Sequence, residues 1–287
     1  MRERSLLGVL LFVGACASPS ANQAPSPSAG LPVSSASAAE FRSGQAARTA
    51  ALGDFASRGS LEVRWKDEEG AHFEQTQVEL AWRESGQRMA FRADKVGERL
   101  AWAGADAARW WIFELKREPS RLTTGRRGSV PRDSILPFVG PESVLELMSA
   151  RPWPASARVG EVESGARWIE WDLSNPVGAW RRTRALVERP GALAQRVELL
   201  DAGGRIIARS TLTRPLSVPV SGLPTGAWPE VAGTMRIEAG DSDATWDIFW
   251  DQPGTEPARL KDRLFDLAVL TDALRPREVV DQDVVSP

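Results

Sequence analysis

The chain has 287 residues, of which 42% are hydrophobic and 26% charged, and its formal net charge is −2. This length supplies enough apolar material for a sizeable core, and the near-neutral charge provides no strong field that would attract nucleic acid. One cysteine and one histidine exclude an internal disulfide and a zinc site built from four such ligands. A Ser-His-Asp triad would have to use His72. We therefore predict no catalytic residue, cofactor or metal, although composition does not exclude carboxylate-only chemistry.

Residues 1–15 are predicted to be a lipoprotein signal peptide. Two arginines precede the apolar run Leu6–Ala15, which is too short to span a bilayer stably. The run ends in Val13-Gly14-Ala15-Cys16, and small residues directly before a cysteine resemble the lipobox of bacterial lipoproteins. That resemblance implies that Cys16 becomes the acylated first residue after cleavage. The alternative is an ordinary signal peptide with an incidental cysteine.

Residues 16–39 consist of Cys16 and a segment built mainly from Ala, Ser and Pro, without charge. Such a segment cannot bury enough apolar surface to fold, so we interpret it as a disordered tether. Ala17 and Ser18 follow the cysteine, and the absence of Asp at the second position implies outer-membrane sorting by the rule of bacterial lipoproteins. The expected product is a monomer, attached through Cys16 to the outer membrane and facing the periplasm.

Residues 40–287 are predicted to form a single β-rich domain that begins with a helix at Glu40–Ala56. Apolar and charged residues then alternate, which is typical of antiparallel strands with one buried and one solvated face. The predicted strands of this meander are Leu61–Lys66, Val78–Arg83, Arg88–Asp94, Leu100–Trp102 and Arg109–Leu115. The last of them is apolar on both sides, so it is expected to be covered from both sides.

The second half of the domain is predicted to contain a further series of strands. Before it, the Arg-rich stretch Pro119–Asp133 reads as a long loop, and Gly140-Pro141-Glu142 starts a short helix. The strands are expected at Arg167–Leu173, Arg181–Glu188, Leu193–Leu200, Arg205–Leu212, Val231–Glu238 and Thr245–Trp250. Leucine spacing predicts a helix at Pro257–Ala268, and Asp281–Pro287 is expected to fray. The two series form either two sheets or one long curved sheet.

This order of elements resembles the LolA/LolB superfamily of bacterial lipoprotein carriers and receptors. The local likeness is to LolB around Phe55–Trp82, where a helix leads through Ser57-Arg58-Gly59-Ser60-Leu61 to a tryptophan-bearing strand. The resemblance implies a mainly β fold, with an open, strongly curved antiparallel sheet and a few helices over its concave face. It also implies a non-enzymatic carrier that binds acyl chains, lipoproteins or another hydrophobic ligand there. The strand series after residue 166 departs from a typical LolB.

Large apolar side chains on consecutive strands are the candidate lining of that ligand site. They are Trp65, Leu80, Trp82, Phe91 and Trp102. An ordinary packed core explains the same residues, because strands favour aromatic side chains by propensity alone. Two pairs, Trp110-Trp111 and Trp168/Trp171, place indoles on both faces of a strand. LolB also carries an exposed apolar loop residue that engages the membrane, and the sequence alone does not single out a counterpart.

Arginines in the predicted loop are candidates for contact with anionic headgroups or an acidic protein partner. They are Arg117, Arg121, Arg126 and Arg127, and a solvated loop is the alternative. A rival function follows from them: an envelope scaffold or sensory module that uses this surface and has no ligand cavity. His72 is interpreted as an exposed turn residue. Glu170 and Asp172 share one strand face, but this spacing is common by chance and we assign it no acid–base role.

Overall fold

The computed structural model describes residues 36–129, 140–141, 143–240 and 242–283. The predicted signal peptide, Cys16 and nearly all of the predicted tether lie outside them. The first strands, β1 to β6, are Phe55–Asp67, Gly70–Arg83, Arg88–Lys95, Glu98–Ala105, Arg109–Glu114 and Arg121–Arg126. Strands β7 to β13 are Arg158–Glu163, Ala166–Val177, Trp180–Val187, Arg196–Leu200, Ile206–Ser217, Glu230–Ala239 and Thr245–Gly254. The last strand, β14, is Glu278–Asp281, and the helices α1, α2 and α3 are Ala38–Leu52, Ser143–Leu147 and Leu267–Leu274.

All of these strands belong to one open sheet of 14 strands, in the order β14-β6-β5-β4-β3-β2-β1-β13-β12-β11-β10-β9-β8-β7. Two antiparallel meanders, β1–β6 and β7–β13, meet where β1 pairs with β13. The sequence alone left open whether the two strand series form two sheets or one. The pairing of β1 with β13 joins them into one sheet. Only the β14–β6 pair is parallel among the described strands. The fold class predicted from the sequence is confirmed.

Helix α1 lies against one side of the sheet, which we call the inner face. Its start is fixed by a capping box, in which the Ser37 hydroxyl accepts from the Glu40 amide and the Glu40 carboxylate accepts from the Ser37 amide. Gly53, with φ of +50°, ends the helix just before β1. Gly44 contacts the chain at Gly191 so closely that a Cβ would lie 2.3 Å from the Gly191 nitrogen. A larger residue at position 44 would therefore push α1 off the sheet.

The main core lies between the inner face and helices α1 and α2. Phe41 and Leu52 of α1 and Val144 and Leu145 of α2 pack with inward side chains from most of the strands. The Ser210 hydroxyl on β11 donates to the Leu147 carbonyl at 2.6 Å. These contacts bury the apolar side of each helix against the sheet.

The opposite, outer face of the first meander is covered by a different segment, residues 257–281, which we call the C-terminal strap. Leu260 and Phe265 of the strap pack on small residues of β1, β2 and β3, and Leu270 of α3 packs on Trp102 and Trp111. Arg83 and Arg88 both lie over the Phe265 ring and both pair with Asp262. The strap then ends in β14, which extends the sheet at β6.

The uncovered part of the outer face carries ion pairs that cross from strand to strand. They include Arg184–Glu198 at 2.6 Å, Arg209–Glu198 at 2.7 Å, Arg236–Asp247 at 2.7 Å, Arg64–Asp247 at 2.6 Å and Arg92–Glu79 at 2.9 Å. Hydrogen bonds from Arg236 lower the pKa of Asp247. The solvent-facing side chains of this face therefore form a series of ion pairs between neighbouring strands, which we call the charge ladder.

Several predicted elements are wrong, and each error has a physical cause. The predicted loop Pro119–Asp133 contains strand β6, which pairs with β5 on one side and β14 on the other. Its Arg and Gly residues suggested a loop, although the Leu-Thr-Thr segment among them favours a strand. The predicted helix Pro257–Ala268 is two 3-10 turns, and the α-helix starts later because Asp266 caps the amides of Ala268 and Val269. The start of the predicted frayed end belongs to β14, held by β6. Strand β7 was not predicted.

Candidate functional site: the inner apolar face

Four of the five predicted lining residues share the inner face. Trp65 on β1, Leu80 and Trp82 on β2 and Phe91 on β3 all pack with the main core. Register explains this placement, since Leu80 pairs with Phe91 and Trp82 pairs with Phe55, so these side chains point to the same side. Leu80 is fully buried, whereas Phe91 is half-buried.

Trp102 is the exception, and its predicted inward position is wrong. It pairs with Arg92, on the outer face, and is buried beneath the C-terminal strap beside Trp111 and Leu270. Strand β4 is buried on both sides. The alternation of apolar and polar residues therefore does not indicate which of its alternate side chains point inward. The guanidinium groups of Arg92 and Arg99 lie 5.9 and 4.8 Å from the ring.

Strand β13 contributes inner-face residues that were not included in the predicted site. Trp246, Ile248 and Trp250 pair with Val63, Leu61 and Gly59 of β1 and pack in the same core. The Trp250 ring meets Phe91 edge-on, with centroids 6.4 Å apart. The period-two pattern predicted this strand, but its pairing with β1 spans nearly the whole chain, and no local signal specifies it.

The structure confirms that each of the two tryptophan pairs, Trp110-Trp111 and Trp168/Trp171, places its indoles on opposite faces of the sheet. Trp110 packs on the inner side with Ala103, Ala105 and Ile112, while Trp111 lies under the strap. Its indole covers Gly104, where a Cβ would lie 2.6 Å from the ring. Trp171 packs inward against Trp153, with centroids 5.7 Å apart. Trp168 lies on the outer face beneath Arg184, whose guanidinium is 4.4 Å from the ring.

His72 is not the exposed turn residue that we predicted. It lies on β2, paired with Trp65, and its ring stacks on that indole with centroids 5.0 Å apart. The His72 Nε2 atom is 2.7 Å from the Asp67 carboxylate, and this hydrogen bond lowers the pKa of Asp67. The turn itself is Asp67–Gly70, so the pair fixes the Trp65 ring at the turn end of the inner face.

A buried polar cluster ties α1 to the chain after α2. Arg48 donates to the Ser149 carbonyl, to the Glu230 carbonyl at 2.7 Å and to Gln45 Oε1 at 3.0 Å. Gln45 in turn donates to the Arg151 carbonyl at 2.8 Å. Burial lowers the pKa of Arg48 to about 10, so the side chain is charged at neutral pH. Because Glu230 begins β12, these bonds hold both helices over the second meander.

The inner face of the first meander has accessible apolar positions. Leu61 and Phe91 are half-buried although both pack against the main core. Burial also raises the pKa of Glu146 on α2, with Arg151 opposing that effect. The inner face therefore combines large aromatic groups with half-buried apolar side chains at Leu61 and Phe91.

The four candidate arginines do not form one surface. Arg117 lies 3.7 Å from the buried Glu114, and Arg121 stands opposite the same residue in register, on the inner side. Arg126 points outward and is highly exposed, with Asp283 at 3.8 Å. Arg127 donates to the Asp106 carbonyl at 3.0 Å.

Two further features concern only the part of the chain that the structure describes. Among these residues there is no group of three or more His, Cys, Asp or Glu side chains placed to share a metal ion. None of the helices in the same residues is both long enough and apolar enough to cross a membrane.

The architecture defines a LolA/LolB-like fold: one open, mostly antiparallel sheet with helices packed on its inner face. Solved structures agree. A LolA superfamily protein from Nitrosomonas europaea aligns with a TM-score of 0.55 and 10% identity, over 82% of this chain and 99% of that one. A putative outer membrane lipoprotein-sorting protein domain from Vibrio parahaemolyticus gives 0.54 and 14%, over 81% and 99%.

A DUF1329 family protein from Desulfovibrio piger is similar at a TM-score of 0.54 and 12% identity, over 80% of this chain and 99% of that one. No protein-family model matches the sequence, and neither does any curated protein. At these identities the likeness establishes the fold alone.

Proposed function

We propose that the protein is a non-enzymatic, lipid-anchored carrier or receptor of the bacterial envelope that binds acyl chains or acylated proteins on its inner face. The observation that carries the proposal is the row of large apolar side chains on β1, β2, β3 and β13, with Leu61 and Phe91 accessible among them. Burying an acyl chain of ~14–16 carbons at ~0.8 kcal/mol per CH₂ supplies ample driving force without specific polar contacts. The LolA-like fold supports the same interpretation.

Tryptophan fluorescence tests ligand binding directly. The unlipidated chain from residue 16, carrying Cys16→Ser and stripped of bound lipid, is titrated with a dibrominated fatty acid. We expect saturable quenching at micromolar ligand, since Trp65, Trp82 and Trp250 lie on the inner face. Absence of quenching would contradict the carrier proposal and favour the rival, an envelope scaffold or sensory module without a ligand cavity. The scattered positions of its candidate arginines give that rival no single docking surface.

Membrane attachment through Cys16 is a separate part of the proposal. It rests on the lipobox-like sequence and on the sorting rule, which together indicate the outer membrane and its periplasmic side. In the native host, Cys16→Ser is expected to move the protein from the membrane to the soluble fraction. Ser18→Ala is the matched control and should stay with the membrane. Unchanged fractionation of the Cys16 variant would overturn the anchor.

Val96 is our candidate for the exposed apolar residue that engages the membrane. It lies in the turn between β3 and β4, is 96% exposed and has φ of +51°, which is unusual for a β-branched residue. Val96→Asp is expected to weaken binding of the unlipidated chain to phospholipid vesicles. Val162→Asp, which alters an exposed valine on β7, is the control and should bind as the parent does.

A further inference from the structure

A polar groove with a volume of about 550 Å³ opens on the outer face of the sheet. Its polar lining residues include Arg58, Ser60, Gln77, Glu79, Arg92 and Asp251. Glu79 and Arg92 also line a small void with Leu264 of the C-terminal strap, so the groove begins where the cover of the strap ends. Ligand sites in proteins typically have volumes of about 300–1,000 Å³. The groove is therefore large enough to hold a small molecule.

Strand register places the groove side chains in two neighbouring rows across β13, β1, β2 and β3. The first row consists of Asp251, Arg58, Glu79 and Arg92. The second row lies two residues further along β1 and consists of Phe249, Ser60, Gln77 and Asp94. Because neighbouring strands are about 4.8 Å apart, each row is about 14 Å long. The rows therefore form a continuous platform that crosses four strands.

The charged groups of the groove neutralise one another. Arg58 lies 3.2 Å and Arg92 lies 2.9 Å from the Glu79 carboxylate. Two further ion pairs adjoin them, Arg92–Asp94 at 2.7 Å and Arg214–Asp251 at 3.5 Å. An anion such as phosphate is bound by cationic donors that are free to pair with it, and here each guanidinium group already faces a carboxylate. The charge balance therefore favours an uncharged ligand.

The second row holds polar groups that are available to a ligand. The side chains of Ser60 and Gln77 make no hydrogen bond to any of the described residues. A hydroxyl and an amide group both donate and accept hydrogen bonds. Phe249 pairs with Ser60, points to the same face and is half-buried, without belonging to a core cluster. The groove thus offers hydrogen-bonding groups beside an accessible aromatic ring.

We propose that this outer-face groove binds a short, uncharged saccharide. Sugar hydroxyls both donate and accept hydrogen bonds, so they match Ser60 and Gln77, and the C–H face of a sugar ring packs on Phe249. An extended peptide fits less well, because β13, β1, β2 and β3 each have a neighbouring strand on both sides and offer no free edge for strand addition. The groove and the proposed acyl site lie on opposite faces of the sheet, so this inference does not depend on the proposed function.

NMR titration of the unlipidated Cys16→Ser chain tests the proposal. Three neutral disaccharides, diacetylchitobiose, maltose and cellobiose, are added separately to the ¹⁵N-labelled protein. We expect at least one of them to bind saturably and to shift the side-chain amide resonances of Gln77. Inorganic phosphate and zwitterionic glycerophosphoethanolamine are titrated in parallel and should leave those resonances unchanged.

Variants at the groove locate the site. Ser60→Ala combined with Gln77→Ala is expected to weaken binding about tenfold or more, because the hydrogen bonds of both side chains are lost. Phe249→Leu should weaken binding less. Gln75→Ala, which removes the same type of side chain two residues along β2 and outside the groove lining, is the matched control and should bind as the parent does. None of these residues belongs to a core cluster, so all of the variants are expected to fold.

The outcomes separate this inference from the proposed function. Absence of saturable binding by all three disaccharides would overturn the saccharide proposal, as would shifts at Gln77 caused only by phosphate or glycerophosphoethanolamine. Full affinity in the Ser60/Gln77 double variant would overturn the assignment to the groove. Disaccharide binding without fatty-acid quenching would contradict the inner-face function alone, and the reverse result would contradict this inference alone.

Discussion

The two faces of the first meander carry tryptophans of similar burial, but different segments of the chain close them. On the outer face, Phe265 of the strap packs on small side chains of β1, β2 and β3, and Leu270 covers Trp102 and Trp111. On the inner face, α1 and α2 are hydrogen-bonded to the second meander, and Leu61 and Phe91 stay accessible. The difference shows that aromatic content alone does not identify a ligand site. What distinguishes the inner face is its incomplete coverage at Leu61 and Phe91.

The first test of this difference between the faces weakens the packing of the C-terminal strap on the outer face. Phe265 of the strap is buried against β1, β2 and β3 and lies beneath Arg83 and Arg88. Phe265→Ala is expected to lower the free energy of unfolding by about 3–5 kcal/mol, measured in urea. Fatty-acid affinity at low temperature should not change. Val269→Ala, at an exposed position of α3, is the control and should cost little. A large loss of affinity in a folded Phe265 variant would contradict the separation of the faces.

The helices of the inner face depend on Arg48, which donates to two backbone carbonyls and to Gln45. Arg48→Met leaves those buried acceptors without their donor, so we expect a loss of about 2–4 kcal/mol in unfolding free energy. Hydrogen exchange should increase in α1 more than in the strap. Arg58→Met, at an exposed position of β1, is the matched control. Equal exchange in α1 before and after the change would show that other contacts hold the helix.

The charge ladder of the outer face gives a pH-dependent prediction. Because hydrogen bonds from Arg236 lower the pKa of Asp247 below its unfolded value of about 3.9, the ionised carboxylate stabilises the folded chain above that pH. This stabilisation is lost as the pH falls through the lowered folded pKa. Asp247→Asn should therefore cost about 1–3 kcal/mol at pH 7 and progressively less below pH 4. Urea unfolding at several pH values measures this.

Asp172 is the control for that series, since hydrogen bonds from Arg182 lower its pKa as well, but its side chain is far more exposed. Asp172→Asn should change stability less at every pH. A cost for the Asp247 variant that does not vary with pH would show that its carboxylate charge is not what stabilises the ladder.

The smallest expected effect on stability comes from placing a larger side chain on the inner face. Leu61 is half-buried and lies on β1 between Thr76 of β2 and Ile248 of β13. Leu61→Trp should change the unfolding free energy by less than about 1 kcal/mol, because the added ring has accessible space. The same change should weaken fatty-acid binding about tenfold or more. Leu223→Trp, at an exposed position outside the sheet, is the control. Unchanged affinity would place the ligand elsewhere.

Sequence patterns predicted the fold better than the site, and particular residues show why. Alternation in β1, β2 and β3 gave the inward position of Trp65, Leu80 and Phe91 correctly because the other side of those strands is solvated or carries small residues. On β4 both sides are buried, so Trp102 was assigned to the wrong face. The inward residues of β13 were missed because their pairing with β1 is set by chain topology. The C-terminal helix was placed too early because a leucine spacing does not reveal where Asp266 caps the helix.

The most direct test of the account is to map where an acyl chain lies. Palmitic acid with a diazirine at mid-chain is bound to the unlipidated Cys16→Ser chain, photolysed, and its adducts are located by mass spectrometry. We predict adducts on inner-face residues of β1, β2, β3 and β13, among them Leu61, Phe91 and Trp250. Adducts confined to the strap or to the outer charge ladder, or no saturable labelling at all, would contradict a ligand site on the inner face.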